Sequence, residues 1–331
     1  MLVLEKVYKS FFPGSSLINE LAALRRRFGG GQAEENLGVQ AVRGVCLEVR
    51  PGEILGLVGE SGSGKSTLGR IMAGLYRADQ GRVLYKGDDL ASFDKAVWKA
   101  FRRRIQIMFQ DPVSSLNPRM AAGDIIEEGL LIHGLGDAKS RRDRVGELLL
   151  EVGLPDDSAK RFPHEYSGGQ RQRLSLARAL SLNPEILIAD EPVSALDVSI
   201  QAQIINLLMD LRERRGLSLV LVSHDLPLVR IMADRIAVMY GGLLMEVMDK
   251  KMLGVVNHHP YVQSLWASAG GKSGLVLEGE PPDPSNPPDG CPFHPRCREA
   301  EDICRLRQPE LIGSQDTLAQ ACHIRNRHSG L

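Results

Sequence analysis

The chain has no net charge: 41 Lys and Arg balance 41 Asp and Glu among 331 residues. The broad positive field of a dedicated nucleic-acid binder is therefore absent, and no nucleic-acid partner is expected. Long apolar runs are missing too. The best is Leu217 to Val222, interrupted by Ser218, far short of the roughly 18 residues that span a bilayer. At the N-terminus, Glu5 and Lys6 directly follow a short apolar start, so the apolar core of a signal peptide is lacking and a cytoplasmic location is expected. Cysteine is scarce, with five in all, and in a reducing compartment these exclude a disulfide framework. The runs Arg25-Arg26-Arg27 and Arg102-Arg103-Arg104 read as solvated faces. An apolar fraction of 43% and a charged fraction of 25% are those of a soluble globular protein.

Against these absences stands one dense segment, Gly59-Glu60-Ser61-Gly62-Ser63-Gly64-Lys65-Ser66-Thr67, which fits G-x-x-x-x-G-K-[ST]. The apolar run Ile54 to Val58 before it reads as a buried strand, and Leu68, Ile71, Met72 and Leu75 after it follow helical spacing. Glycines let the backbone curl round a polyphosphate with its N–H groups inward, and the helix beginning near Lys65 adds its positive end. Lys65 is expected on the β- and γ-phosphates and Ser66 on Mg²⁺.

Around this loop the pattern alternates. Leu2 to Val7 and Ala41 to Val49 suggest an N-terminal antiparallel sheet, with a Gly- and Arg-rich insertion from Gly14 to Gly38. A strand is predicted near Arg82, a turn at Gly87-Asp88-Asp89, then a helix and a strand over Ile105 to Phe109. Residues 111–175 hold a helical insertion. Strand and helix patterns then alternate: Ile186 to Ala189, Ile200 to Arg214, Ser218 to Val222, a helix after Asp225, and Arg235 to Met239. Such alternation predicts a parallel sheet covered on both faces. Beyond residue 250 prolines at 281, 282, 284, 287 and 288 mark a stiff linker before a small Cys-bearing tail.

Two further clusters carry chemistry. Ile186 to Glu191 is an apolar run ending in two carboxylates, of which Asp190 can hold Mg²⁺ through water and Glu191 can orient an attacking water. Tyr166-Ser167-Gly168-Gly169-Gln170 opens a helix, with Ser167 as its cap and two glycines exposing N–H groups, so it is a second anion site with no lysine of its own. With this segment, SGGQ, the sequence resembles the ATP-binding subunits of ABC transporters. The resemblance implies a P-loop NTPase fold: a RecA-like parallel core, an N-terminal antiparallel β subdomain and a helical subdomain. Residues 1–250 would form the ABC ATPase domain and 251–331 a C-terminal extension.

It also implies roles. Gln110 takes the Q-loop position, Asp190 and Glu191 the Walker B pair, Ser194-Ala195-Leu196-Asp197 the D-loop, and His224 the switch histidine. Two ATPase subunits would pack head to tail, so that each ATP lies between the phosphate loop of one (Gly59, Ser61, Gly62, Gly64, Lys65, Ser66, Thr67) and the SGGQ segment of the other. Ser167, Gly168, Gly169, Gln170 and Asp197 would then serve the partner's ATP. Glu191 would act as general base, with His224, Gln110 and Lys65 at the γ-phosphate and Ser66, Gln110 and Asp190 on Mg²⁺. An aromatic stacked on adenine is expected near the N-terminus; Phe11 fits best, with Phe12 or Tyr8 as alternatives.

Within the family, Leu57 to Lys65, Asp111 to Pro118, Ser194 to Gln203, His259-Pro260-Tyr261 and Gly290 to Cys297 are similar to the oligopeptide/dipeptide importers, a group that includes nickel transporters. The long N-terminal insertion favours the second of two distinct ATPase subunits. That resemblance implies a heterodimer on the cytoplasmic face of the cell membrane, working with two transmembrane permease subunits and an extracytoplasmic solute-binding protein. A nickel or other small solute is the alternative cargo. A soluble ABC ATPase of DNA repair or translation is the alternative class, opposed by a single ATPase domain, no heptad run and zero net charge. Cys291, Cys297, Cys304 and Cys322 are spaced C-x₅-C-x₆-C-x₁₇-C, wider than common zinc knuckles. Four thiols still make a soft-metal set, and the resemblance favours a 4Fe-4S cluster, with zinc or free cysteines as alternatives. His294 and His323 adjoin cysteines and could replace a ligand. Cys46 reads as a small core residue.

Overall fold

The computed structural model describes residues 1–12, 38–194, 196–270 and 277–328. Nearly all of the Gly14–Gly38 insertion, the run Arg25–Arg27, and Ala195 of the expected D-loop lie outside them.

Two sheets organise the chain. Strands β1 (Leu2–Phe11) and β2 (Val39–Val49) pair antiparallel, and with β4 (Gln80–Tyr85) and the two-residue β5 (Asp88–Asp89) they form a sheet ordered β2-β1-β4-β5. The second sheet has eight strands. Its parallel centre comprises β3 (Ile54–Val58), β6 (Ile105–Met108), β7 (Ile186–Asp190), β8 (Ser218–Ser223) and β9 (Arg235–Tyr240), in the order β9-β3-β8-β7-β6. Every residue of β3, β7, β8 and β9 is buried. That is why these strands read as continuous apolar runs rather than alternating ones.

Register then builds the site. Val58 lies opposite Ser223, and Asp190 opposite Val222. The residues that follow, 59, 191 and 224, therefore leave the sheet side by side at the carboxyl ends of three adjacent strands, where open α/β sheets bind ligands.

The helices flank this edge. Helix α1 (Lys65–Met72) starts in the loop after β3. It ends one turn earlier than its apolar spacing suggests, because Gly74 turns the chain at φ 67° and leaves Leu75 half exposed. Helix α2 (Lys95–Arg104) carries the Arg102–Arg104 run in its last turn, favourable beside the negative helix end. The helical insertion comprises α3 (Ala122–His133), α4 (Ala138–Glu151) and α5 (Gly168–Leu180), which bury Ile125, Ile126, Leu148, Leu149, Leu174 and Leu176 together. Helices α6 (Val198–Arg215), α7 (Leu226–Met232) and α8 (Pro260–Ala269) complete the covering.

Sequence patterning missed the rest of the large sheet. β10 (Leu243–Asp249) forms a hairpin with β9 across Gly241-Gly242, and the tail then adds β11 (Ile312–Ser314) and β12 (Leu318–Gln320) beside it. Glu246, inside β10 and fully buried, hides that strand from a hydropathy reading. It is satisfied by His258 Nδ1 at 2.5 Å, the His259 N–H at 2.6 Å and Gln320 Nε2 at 3.0 Å. The two glycines between apolar runs were the signal that could have found the hairpin. Among the described residues no helix is long and apolar enough to cross a membrane.

Candidate functional site

The loop after β3 can only be built with glycine at its two ends. Gly59 has φ 153°, and a Cβ there would stand 2.2 Å from the Met239 carbonyl oxygen. Gly64 has φ 102°, and its Cβ would meet the Ala41 carbonyl oxygen at 2.1 Å. Both neighbours are backbone, so neither can yield cheaply. The Gly242 N–H also donates to the Ser63 carbonyl at 3.1 Å, tying the loop to the β9–β10 turn.

Inside this frame Lys65 is buried, and its Nζ donates to the carbonyls of Gly59 and Glu60, each at 2.8 Å. Burial pushes its ammonium pKa down, while Glu191, Asp190 and Glu60 nearby pull it back up. A partly desolvated cation held by carbonyl dipoles is poised for a polyanion. Ser66 Oγ donates to Asp190 Oδ1 at 2.9 Å, joining loop to strand end. Burial raises the Asp190 pKa, opposed by that hydroxyl and by Arg70.

Glu191 is the convergence point. Gln110 Nε2 donates to its Oε2 at 2.8 Å, and His224 Nδ1 faces its Oε1 at 3.1 Å. An ionised carboxylate only accepts, so this second bond needs the proton on His224 Nδ1. Glu191 is also a non-glycine residue at φ 46°, held there by its N–H bond to the Val222 carbonyl at 2.9 Å. Backbone strain of this kind, on the order of 1–3 kcal/mol, is retained where the surroundings fix it, and it aims the side chain.

The second glycine segment is built otherwise. Ser167 caps α5 in a reciprocal box: its Oγ accepts the Gln170 N–H at 3.3 Å, and Gln170 Oε1 accepts the Ser167 N–H at 3.0 Å. A Cβ on Gly169 would sit 2.5 Å from Ile200, and one on Gly168 would sit 3.4 Å from Leu196, so these glycines also let α6 and its leading turn pack close. Asp197 stands at the N-cap of α6 without a side-chain cap bond. Of the three aromatics, Phe11 sets its ring edge-on to Tyr76 at 5.4 Å under Lys9, whereas Phe12 and Tyr8 are exposed.

In the tail the four cysteines carry free thiols; Cys291, Cys304 and Cys322 are buried and Cys297 half-buried. Burial, with the neighbouring thiols adding, pushes Cys291 up to about 12 and Cys297 up to about 11, and raises Cys322 as well. The Cys291 N–H donates to the Cys304 carbonyl at 2.8 Å, so the backbones of these two cysteines meet. Even so, no group of three or more His, Cys, Asp or Glu among the described residues is arranged to hold a metal ion. Neither the expected iron–sulfur cluster nor zinc is supported by this geometry. Instead the sulfurs of Cys291, Cys297 and Cys322 accept backbone N–H groups of Phe293, Glu299 and Arg325. His294 and His323 spend a ring nitrogen on the carbonyls of Cys291 and Arg307. Cys46 is partly buried in β2, and its sulfur accepts the Lys6 N–H at 3.2 Å.

A phosphate loop, a carboxylate pair at the next strand end but one, and a glutamine and histidine closing on the second carboxylate define the ATP-binding cassette class of ATPases. Comparisons with known proteins agree. Residues 42–194 match the family model described as ABC transporter, and 245–304 that described as oligopeptide/dipeptide transporter, C-terminal region. The oligopeptide transport ATP-binding protein AppF of Bacillus subtilis is 48% identical over 295 residues, 86% of this chain and 90% of the relative. A Brucella abortus protein named for peptide import is 47% identical over 320 residues, covering 94% and 95%. Among solved structures, the dimeric MJ0796 cassette superposes with a TM-score of 0.63 at 29% identity, over 76% of this chain and 99% of that one. Its post-hydrolysis dimer bound to ADP and Pi gives 0.62 at 30%, again over 76% and 99%. The chain belongs to the ABC transporter ATP-binding subunits, in the branch that carries the oligopeptide/dipeptide C-terminal region, and it is an ATPase.

Proposed function

We propose that this chain hydrolyses ATP to energise import of oligopeptides or dipeptides, as one half of a head-to-tail ATPase pair on two permease subunits fed by an extracytoplasmic solute-binding protein. The observation that carries the catalytic part is the meeting of Gln110, Glu191 and His224 beside the Ser66–Asp190 bond. Lys65 exchanges two carbonyls for the β- and γ-phosphates, and the loop N–H groups with the α1 terminus surround them. Ser66 and Asp190 are the donors that would hold Mg²⁺, which when bound neutralises phosphate charge. Glu191, fixed through both oxygens, keeps a lone pair on each for the attacking water. The water oxygen bonds to the γ-phosphorus, the bond to the bridging oxygen of ADP breaks, and the water proton passes to Glu191.

Phe12 is exposed whereas the Phe11 ring is engaged by Tyr76 and Lys9, so Phe12 is the freer ring to stack on adenine. Gln110 also links the site to the permease side. Asp111 next to it caps the short helix Pro112–Ser115, on which Val113 is exposed, so a push on residues 112–120 reaches Glu191 through one side chain. Ser167 to Gln170 and Asp197 serve the partner's ATP, and the assembly places this chain peripherally on the cytoplasmic face. The tail thiols are read as a structural soft-metal set for an iron–sulfur cluster, with zinc as alternative, on the strength of their number and chemistry alone, since the described geometry does not gather them round an ion. Iron, sulfide and zinc assays on anaerobically purified protein decide that point.

For the ATPase reading the test is Glu191→Gln. Hydrolysis should fall about 10²- to 10⁴-fold, the contribution of a positioned general base, while ATP binding persists. Undiminished turnover would remove Glu191 from the mechanism. Peptide-dependent stimulation in proteoliposomes with the permease subunits tests the cargo; a response to nickel alone would move the assignment to the alternative solute.

A further inference from the structure

Glu60 puts a carboxylate inside a loop that must receive a polyanion. Nothing in phosphate binding calls for it, and an unpaired negative charge a few ångströms from ATP would oppose binding. The structure shows what offsets it. Arg296, far along the chain in the turn His294–Arg296 of the C-terminal extension, forks onto it: Nη1 donates to Oε2 at 2.7 Å and Nη2 to Oε1 at 3.1 Å. All three guanidinium nitrogens are engaged, since Nη1 also reaches the Tyr240 hydroxyl at 3.1 Å and Nε the Glu278 carbonyl at 3.0 Å. Its side chain is only 6% exposed and that of Glu60 25%.

The backbone of Glu60 is tied down as well. Its N–H donates to the hydroxyl of buried Tyr261 on α8 at 2.9 Å, and its carbonyl accepts Lys65 Nζ at 2.8 Å. Tyr261 packs in turn on Tyr240 and Phe293, with ring centroids 4.6 and 5.3 Å away. One residue of the loop is thus anchored by two residues of the extension on one side and holds the phosphate-binding lysine on the other.

We propose that Arg296 is a positioning residue for ATP: it cancels the charge of Glu60 and fixes the phosphate loop from behind, making the C-terminal extension part of the nucleotide site. This rests on the reading of residues 59–67 as the ATP site. A bidentate guanidinium–carboxylate pair in this geometry is both strong and directional, which lysine cannot reproduce.

The experiment is ATP titration and steady-state hydrolysis on the full chain with Arg296→Ala, Arg296→Lys, Glu60→Gln and the double variant Arg296→Ala/Glu60→Gln. Arg296→Ala should raise KM and Kd for ATP about ten-fold with a much smaller change in kcat, the scale of a lost charged hydrogen bond. Arg296→Lys should fall between. The double variant should recover most of the affinity, because removing the carboxylate removes the uncompensated charge; a purely packing role for Arg296 predicts no recovery. Arg327→Ala, which loses an exposed pair with Glu301, should leave KM unchanged and controls for net charge. Unchanged KM in folded Arg296→Ala, or no recovery in the double variant, overturns the proposal. If Arg296→Ala does not fold, the Arg296→Lys and Glu60→Gln pair decides: a raised KM for the first against an unraised KM for the second supports it, and equal values sink it. Lys65→Ala separates the two levels. If that change spares ATP binding, the site reading itself has failed; if it abolishes binding while Arg296→Ala does nothing, only the positioning role has.

Discussion

Two glycine-bearing helix starts, one before α1 and one before α5, look alike in sequence and are opposites in structure. The first is not capped by itself: Lys65 is turned back onto the Gly59 and Glu60 carbonyls, its cap residue Gly64 offers no side-chain bond, and Ser66 reaches Asp190 on another strand. The second is locally satisfied, with Ser167 and Gln170 bonding each other's backbone. A helix start that gathers long-range partners binds and transforms its anion; one that caps itself presents a finished surface to something that arrives with its own chemistry. The second is the one we propose to serve a partner's nucleotide rather than one held by this chain.

The contrast can be broken by experiment. The largest effect is expected at Gly59→Ala, where the new methyl would overlap the Met239 carbonyl and the backbone angle is unfavourable. ATP binding measured by titration should be lost, with stability reduced by a few kcal/mol in a denaturant series. Next comes the acid side of the extension. His259 is fully buried, and its Nδ1 accepts the Tyr261 N–H at 3.0 Å, starting the helix that carries the Glu60 anchor. Burial drops its pKa to about 3, below the unfolded value of 6.5. Between these values the unfolded chain binds the extra proton, so stability falls as pH falls, by about 2 kcal/mol from pH 6.5 to 5. Thermal midpoints of His259→Asn should show a shallower slope over that range; an equal slope would assign the acid sensitivity elsewhere. The smallest effect sharpens the comparison most. Ser167→Ala removes only a cap, so it should cost about 1 kcal/mol of stability and leave the ATP affinity of the isolated chain unchanged. A drop in that affinity would mean the second start belongs to this chain's own nucleotide.

Some of this was legible and some was not. The loop, the carboxylate pair and the histidine were readable because each is a short local pattern set at a strand end, where apolar runs such as Ile54 to Val58 announce the strand. β10 was not readable, since the buried Glu246 breaks its apolar run and is stabilised by His258 and Gln320 from elsewhere. The end of α1 was overrun for a similar reason: Leu75 keeps the spacing, but Gly74 turns the chain first. In the tail, cysteine count pointed to a soft-metal set, while among the described residues no three such groups are arranged to hold an ion; spacing reports how many thiols are available and not how the fold disposes them.

Sequence by itself determined the parts of an ATPase and their order, because glycine, lysine and carboxylate at fixed short spacing leave the backbone few conformations. Only the tertiary structure decided which parts touch. Gln110 and His224 reach Glu191 across 81 and 33 residues, and Arg296 reaches Glu60 across 236. Contacts at such separations are set by strand register and by the packing of an extension onto a loop, and no local pattern of residues encodes either.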